Sequence, residues 1–409
     1  MMQLDLNFVR AQFPAFASPV LSSHAFFENA GGSYPCQQVV DRLTRFYTDR
    51  KVQPYGPYPG AQAGGAEMDE ARTRLAAMMG VKREELSFGP STSANTYVLA
   101  QAARKWLAHS GGAVVVTNQD HEANSGVWRR MADEGIEIRE WQIDPDTGSL
   151  ELPTLKALLA DGMVKLLCFP HCSNVIAEIN DVAAICAMAR EAGARTVVDG
   201  VSYAPHGFPD IPALGCDVYL FSAYKTYGPH QGIMVLREAF GMELPGQAHF
   251  FNHGTLYKRH TPAGPDHAQI AACAGMADYI DAVAAKHGVT GDAAARNRGV
   301  HDLMRAQEGT VIQPLLDYLS ARNDVRLLGP RDGAKRAPTV AVELNRAADP
   351  VSEQLGRNGI ACWAGDFYAV RPLQALGIDL DKGVLRMSAV HYTSAEDVAR
   401  LIAALERVL

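Results

Sequence analysis

Lys225 stands where a lysine can do carbonyl chemistry. It lies three positions beyond the apolar run DVYLFS (217–222), and Gly228-Pro229 then turns the chain toward another apolar run, GIMVL (232–236). A lysine at the mouth of an α/β sheet, flanked by Ser222, Tyr224 and Tyr227, has an amine whose pKa falls with desolvation and neighbouring charge, and such an amine can form a Schiff base. Taken alone, an ordinary surface lysine explains the position equally well. Asp199 narrows the choice. It ends the run RTVVDG, 26 positions before the lysine (225 minus 199). A carboxylate at a strand end can pair with a protonated pyridine nitrogen and keep that ring an electron sink; the competing role is a helix cap. Asp and Lys after successive strands are far more specific together than either is alone.

Two further segments suit the same chemistry. SFGPSTSANTYVLAQA places Ser91, Thr92 and Ser93 between a short strand and a helix, where amides and hydroxyls at a helix N-terminus can cradle a phosphate. Plain N-capping fits that segment equally well. AVVVTNQDHEANSGVW puts His121 beyond a strand end, where an imidazole could stack on a flat ring or simply face solvent. A Schiff-base lysine, a carboxylate for a pyridine nitrogen, a phosphate turn and a stacking ring together describe a site for pyridoxal 5'-phosphate (PLP).

Stepping outward, the elements that must position these residues are short apolar strands alternating with longer helices. The strands are AVVVT (113–117), EIREW (137–141), KLLCF (165–169), RTVVDG (195–200), DVYLFS (217–222) and GIMVL (232–236), with amphipathic helices such as 152–162 and 180–193 between them. That alternation predicts an α/β fold with a mostly parallel sheet covered on both faces, and ligands bind beyond the carboxyl ends of such strands. After about residue 265 the pattern changes to a helical stretch, a long helix over 292–321, then VRLLG, TVAVEL, a helix at 350–358, GIACWAGDFYA, VLRMSAV and a closing helix at 394–408. The expected organisation is a large domain over 20–265 and a smaller α+β domain from 1–19 and 266–409.

Composition limits the function classes. The 409 residues are 47% hydrophobic and 20% charged, with a formal net charge of -7. That balance argues against nucleic-acid binding, no apolar run is long enough for a membrane span, and the first residues lack a secretory pattern, so a cytoplasmic location is expected. Seven cysteines, an odd number, sit mostly in apolar runs and read as reduced, buried thiols. Cys168 and Cys172 form a C-x3-C pair that nothing completes into a metal site, so no metal is expected.

The segments ENAGGSYP, DHEAN, CSNVIAEIND, VVDGVSYAPHG, YLFSAYKTYGPH and VLRMSAVHYTSAEDV occur in that order. Together they resemble the class V aminotransferase family of fold-type I PLP enzymes, and within it the cysteine desulfurase-like group. The resemblance runs from residue 28 to the last helix. It implies a large α/β domain with a mostly parallel seven-stranded sheet, a smaller α+β C-terminal domain, and a homodimer with shared active sites acting on a small amino acid. It also implies roles. Lys225 would hold the cofactor and then move the substrate Cα proton, Asp199 would pair with the pyridine nitrogen, and His121 would stack on the ring. Thr92, Ser93, Ser222 and Tyr224 would hold the phosphate, where the family often has histidine at the Tyr224 position. Asn174 would lie near the ring hydroxyl and the substrate carboxylate, Asn29 near the substrate, and Arg386 would grip that carboxylate; a surface ion pair is its alternative. Thr261 would reach the phosphate of the other subunit.

Two departures matter. Ser202 stands where many relatives carry Gln or His toward the ring oxygen, and His206 or Tyr203 are candidates to compensate. In GIACWAGDFYAVRPL, Tyr368 takes the position of the desulfurases' mobile sulfur-accepting cysteine, and Cys362 is expected inside a strand, with little reach. Trp363, Phe367 and Tyr368 suggest an aromatic wall to the substrate pocket, with core packing the other account of Trp363. The resulting expectation is β-elimination at a C–S or related bond without an enzyme persulfide. Transamination, epimerisation and true desulfuration through Cys362 are the alternatives, and a non-catalytic protein that kept the fold is opposed by the intact set of Lys225, Asp199, His121 and Arg386.

Overall fold

The computed structural model describes residues 3–409. Strand β1 is Ala25–Phe26, and the main sheet is built from β2 (Leu86–Gly89), β3 (Ala113–Thr117), β4 (Ile138–Trp141), β5 (Val164–Pro170), β6 (Arg195–Asp199), β7 (Val218–Ser222) and β8 (Gly232–Leu236). Their order is β2-β8-β7-β6-β5-β3-β4. The five strands from β7 to β4 run parallel, while β8 is antiparallel to both of its neighbours. The sheet is the mostly parallel, seven-stranded one expected. Its central strands are largely apolar because helices cover both faces: every residue of β3, β7 and β8 is buried.

Polar side chains start the helices that follow these strands. Ser91 accepts from the amide of Ala94 to open helix Thr92–Ser110, and Asp181 accepts from Ala184 to open helix Val182–Glu191. The Ser91 cap, two residues beyond the end of β2, fixes the start of its helix. Among the described residues no helix is long and apolar enough to cross a membrane.

The second sheet is antiparallel in the order β12-β13-β10-β9, with β9 at Val325–Leu327, β10 at Thr339–Leu344, β11 at Ile360–Ala361, β12 at Trp363–Gly365 and β13 at Val384–Ser388. Val340, Val342, Leu385 and Met387 share a core with Leu315, Leu401 and Leu405 of the long and closing helices. Strand β1 pairs in parallel with β11, and Ser388 donates its amide to Phe27 O at 2.7 Å. Helices His267–Ala272 and Ala274–Lys286 pack on helices Gln37–Arg45 and Pro59–Met78. The division proposed at residues 20 and 266 therefore has contacts running across it on both sides.

Candidate active site

The carboxyl ends of β2, β3, β5, β6 and β7 converge on one cavity of about 570 Å³, counting its open mouth. Thr92, Ser93, Asp120, His121, Cys172, Asn174, Asp199, Ser202, Ser222, Tyr224 and Lys225 line it. Each ends a strand or follows one, which is where an open parallel sheet leaves polar backbone and side chains uncovered. Lys225 closes a short turn after β7. Burial above all, with help from Arg386, pushes its amine down to about 8, against the opposing pull of Asp199 and Glu28.

Asp199 is buried and accepts from the amide of Val201 at 2.8 Å. Burial raises its carboxyl to about 6, although that hydrogen bond and Lys225 both act to lower it. A second buried carboxyl, Asp120, accepts from Thr117 Oγ1 at 3.2 Å and Asn124 Nδ2 at 3.1 Å, and is held well above the carboxylate range by burial and by Asp199. His121 accepts from Ala123 N at 3.1 Å through Nδ1, opening helix Glu122–Arg129. Burial first, then Lys225 and Arg386, bring its pKa down to about 4, so the ring is neutral at ordinary pH.

Thr92 Oγ1 and Ser222 Oγ lie 2.7 Å apart and buried, joining the start of helix Thr92–Ser110 to the end of β7. Gly232 permits this approach: a Cβ there would collide with the backbone of Ser91 and Thr92. The Tyr224 ring, stacked on His230 at 4.9 Å, stands on the same side. Paired hydroxyls at the N-terminus of a 19-residue helix suit a phosphate, an uncharged-prone amine suits an aldehyde, and Asp199 suits a pyridinium. The donor set fits PLP.

Arg386 on β13 is buried and does not hang free. Nη2 donates to Glu28 Oε1 at 2.9 Å, Nη1 to Asn174 O at 3.3 Å, and its guanidinium carbon lies 3.8 Å from the Phe367 ring centroid. The surface ion pair considered above is therefore a buried one, and Glu28 is the partner. Asn174 donates through Nδ2 to Phe367 O at 3.0 Å, leaving Oδ1 buried without a partner. Asn29 lines a smaller cavity behind Lys225 with Ser202 and His206; its Nδ2 donates to Ser388 O at 2.8 Å and its Oδ1 accepts from Tyr392.

His206 and Tyr203 are engaged elsewhere. His206 is bound to Glu308 through Nδ1 at 2.9 Å, while Tyr203 reaches His301 at 3.1 Å and stacks on His171 at 3.7 Å. Neither lines the main cavity, so neither replaces the longer side chain missing at Ser202. Cys362 lies between β11 and β12 rather than within a strand, half-buried, with its thiol pushed up to about 12 by burial and by Glu28. Trp363 is 63% exposed and so is not a core residue; Tyr368, 70% exposed, sits over His121 with ring centroids 5.4 Å apart. Thr261 is outside the main cavity and lines a different one with Tyr55, Arg72 and Tyr257.

The model of the family described as Aminotransferase class-V matches residues 25–401. The chain belongs to the class V aminotransferase family. This class V enzyme is PLP-dependent, and its relatives are cysteine desulfurase-like. It is 30% identical to the "Aminotransferase-like protein FGM3" of Gibberella zeae, over 98% of each chain. It is 27% identical to a "Cysteine desulfurase" of Serratia proteamaculans, covering 100% of this chain and 99% of that one. A solved cysteine desulfurase of Thermococcus onnurineus superposes with a TM-score of 0.84 at 22% identity, over 100% of this chain and 98% of the other, which establishes the fold-type I architecture.

Two residues of this class V site and one backbone turn beside it are not singled out by the sequence. Asp120 carried the same signal as Asp199, a carboxylate just past a strand, but was overshadowed by His121 beside it. Glu28 was visible only as part of ENAGGSYP. Asp366 gave no hint that Phe367 and Tyr368 would both take left-handed backbone, with φ of 55° each, turning Phe367 onto Arg386.

Proposed function

We propose that this enzyme catalyses β-elimination at a C–S or related Cβ bond of a small amino acid, with no persulfide formed on the protein. The chemistry that PLP would supply when bound is an electron sink next to Cα, which makes the Cα proton removable. Lys225 takes that proton on its amine, the Cα–H electron pair becomes a Cα=Cβ bond, and the group on Cβ leaves with its own bonding electron pair. Arg386 holds the substrate carboxylate, while Asn174 positions its neighbour. Asp199 would face the pyridine nitrogen, neutral His121 would stack on the ring, and Thr92, Ser93, Ser222 and Tyr224 would hold the phosphate, with Ser202 beside the ring oxygen.

The observation that carries the absence of a persulfide is the loop after β12. Tyr368 stands where a travelling cysteine would be needed, and the two thiols near the site, half-buried Cys362 and buried, cavity-lining Cys172, are each raised to about 12. A thiol so far from ionisation is a poor nucleophile. Desulfuration through Cys362 is the second reading, favoured by the relatives named cysteine desulfurases; transamination and epimerisation would use the same Lys225, Asp199 and Arg386. We also propose a homodimer in which Thr261 reaches the partner's phosphate. That reading is supported by the position of Thr261 outside its own chain's site and by the nearby Phe250 and Phe251, 84% and 70% exposed.

Incubation with L-cysteine without reductant, followed by mass spectrometry, tests the central choice. No sulfur adduct on the Cys362 peptide, together with Cys362→Ser activity within a few-fold of wild type, is the expected result. An adduct on that peptide and an inactive Cys362→Ser enzyme would establish desulfuration instead.

A further inference from the structure

Glu28 reaches Arg386 because its neighbours are tied to β13: Ser388 donates to Phe27 O at 2.7 Å, and Asn29 donates to Ser388 O at 3.4 Å. The carboxylate enters from that edge and accepts from Arg386 Nη2 through Oε1 alone, at 2.9 Å. Two complementary atoms of this pair remain buried without hydrogen-bond partners, Arg386 Nε and Glu28 Oε2. Buried polar atoms of this kind are rare and call for a ligand or a role. Nε can donate to an incoming carboxylate. Oε2 can only accept, so it asks for a donor that a carboxylate does not bring.

We propose that Glu28 is a specificity-determining residue, selecting amino acids whose side chain is cationic or carries an N–H donor and rejecting those with acidic side chains. The proposal rests on the reading of Arg386 as the group that holds the substrate carboxylate. A substrate with an apolar side chain satisfies Nε and leaves Oε2 alone. An acidic side chain sets a second anion against Glu28 where water is largely excluded, and like charges so placed are strongly disfavoured. A side-chain ammonium or amide satisfies both atoms. Specificity here comes as much from what Glu28 repels as from what it binds.

Three small amino acids that differ in side-chain charge separate these outcomes: L-2,3-diaminopropionate, L-alanine and L-aspartate. Dissociation constants come from the change in cofactor absorbance when each is titrated into the holoenzyme. Diaminopropionate is expected to bind at least about tenfold more tightly than aspartate, with alanine between them. Glu28→Gln, which keeps the shape and removes the charge, is expected to shrink that gap to about threefold or less, improving aspartate and weakening diaminopropionate. Equal affinities in the wild-type enzyme would overturn the proposal without recourse to any variant. So would a Glu28→Gln enzyme that binds all three more weakly by one common factor, the mark of a residue that only holds Arg386 in place. A response that Arg386→Ala leaves unchanged would instead overturn the reading of Arg386, and this proposal with it.

Discussion

Thr92 Oγ1 and Ser222 Oγ, 130 positions apart in the chain, share a buried 2.7 Å hydrogen bond in the lining of the main cavity. Each hydroxyl can turn its remaining capacity toward a phosphate, since a hydroxyl both donates and accepts. Thr92→Val keeps the shape and removes the hydroxyl. It is expected to weaken PLP binding by about ten- to a hundredfold, the worth of one hydrogen bond to a charged group. Equilibrium dialysis of the apoprotein against PLP measures this, and an unchanged dissociation constant would make the pair a structural bond only.

Asp199 has two possible jobs, and one substitution separates them. As the partner of the pyridine nitrogen it sustains the electron sink; as a cap it serves only the amide of Val201. Asp199→Ala should retain PLP yet lose turnover on the order of a hundredfold, the range for removing one electrostatic partner of a transition state. Steady-state kinetics on the loaded variant decide it. Turnover near that of the wild type would leave the carboxylate as a cap.

The pH dependence of cofactor uptake reports on Lys225. Its amine is pushed down to about 8 chiefly by burial, and only the neutral amine condenses with an aldehyde. Protonation is lost as pH rises, so the uptake rate of the apoprotein should climb about tenfold per pH unit below 8 and level off above it. Stopped-flow absorbance from pH 6 to 10 follows the rate. A rate still climbing at pH 10 would mean that the amine keeps its ordinary value and that burial is relieved in solution.

Much of the site could be read from the chain because strand ends announce themselves. Asp199, Ser222, Lys225 and His121 each follow an apolar run by one to five residues, and the fold turns that local pattern into a common cavity. The sheet order could not be read so directly, yet the apolar, β-branched runs sufficed for a parallel sheet. What stayed hidden depends on contacts across the whole chain. Glu28 and Arg386 are 358 positions apart, and nothing near either residue signals the other. His206 looked available because its partner, Glu308, lies on a distant helix, 102 positions away. The break at Cys362 arises where β1 pairs with β11 and the next residues, β12, pair with β13, an exchange of partners that an apolar run does not reveal.

The identity of the cofactor lysine tests the account most directly. Lys225 is the lysine lining the main cavity, beside Ser222 and Tyr224 and within the field of Asp199. Borohydride reduction of the PLP-loaded enzyme, followed by proteolysis and peptide mapping, should recover the reduced cofactor on the peptide that contains Lys225. Lys225→Ala should then carry no label at all. Recovery of the label on any other lysine, or an unreduced cofactor released intact from the wild-type protein, would contradict the assignment of this site.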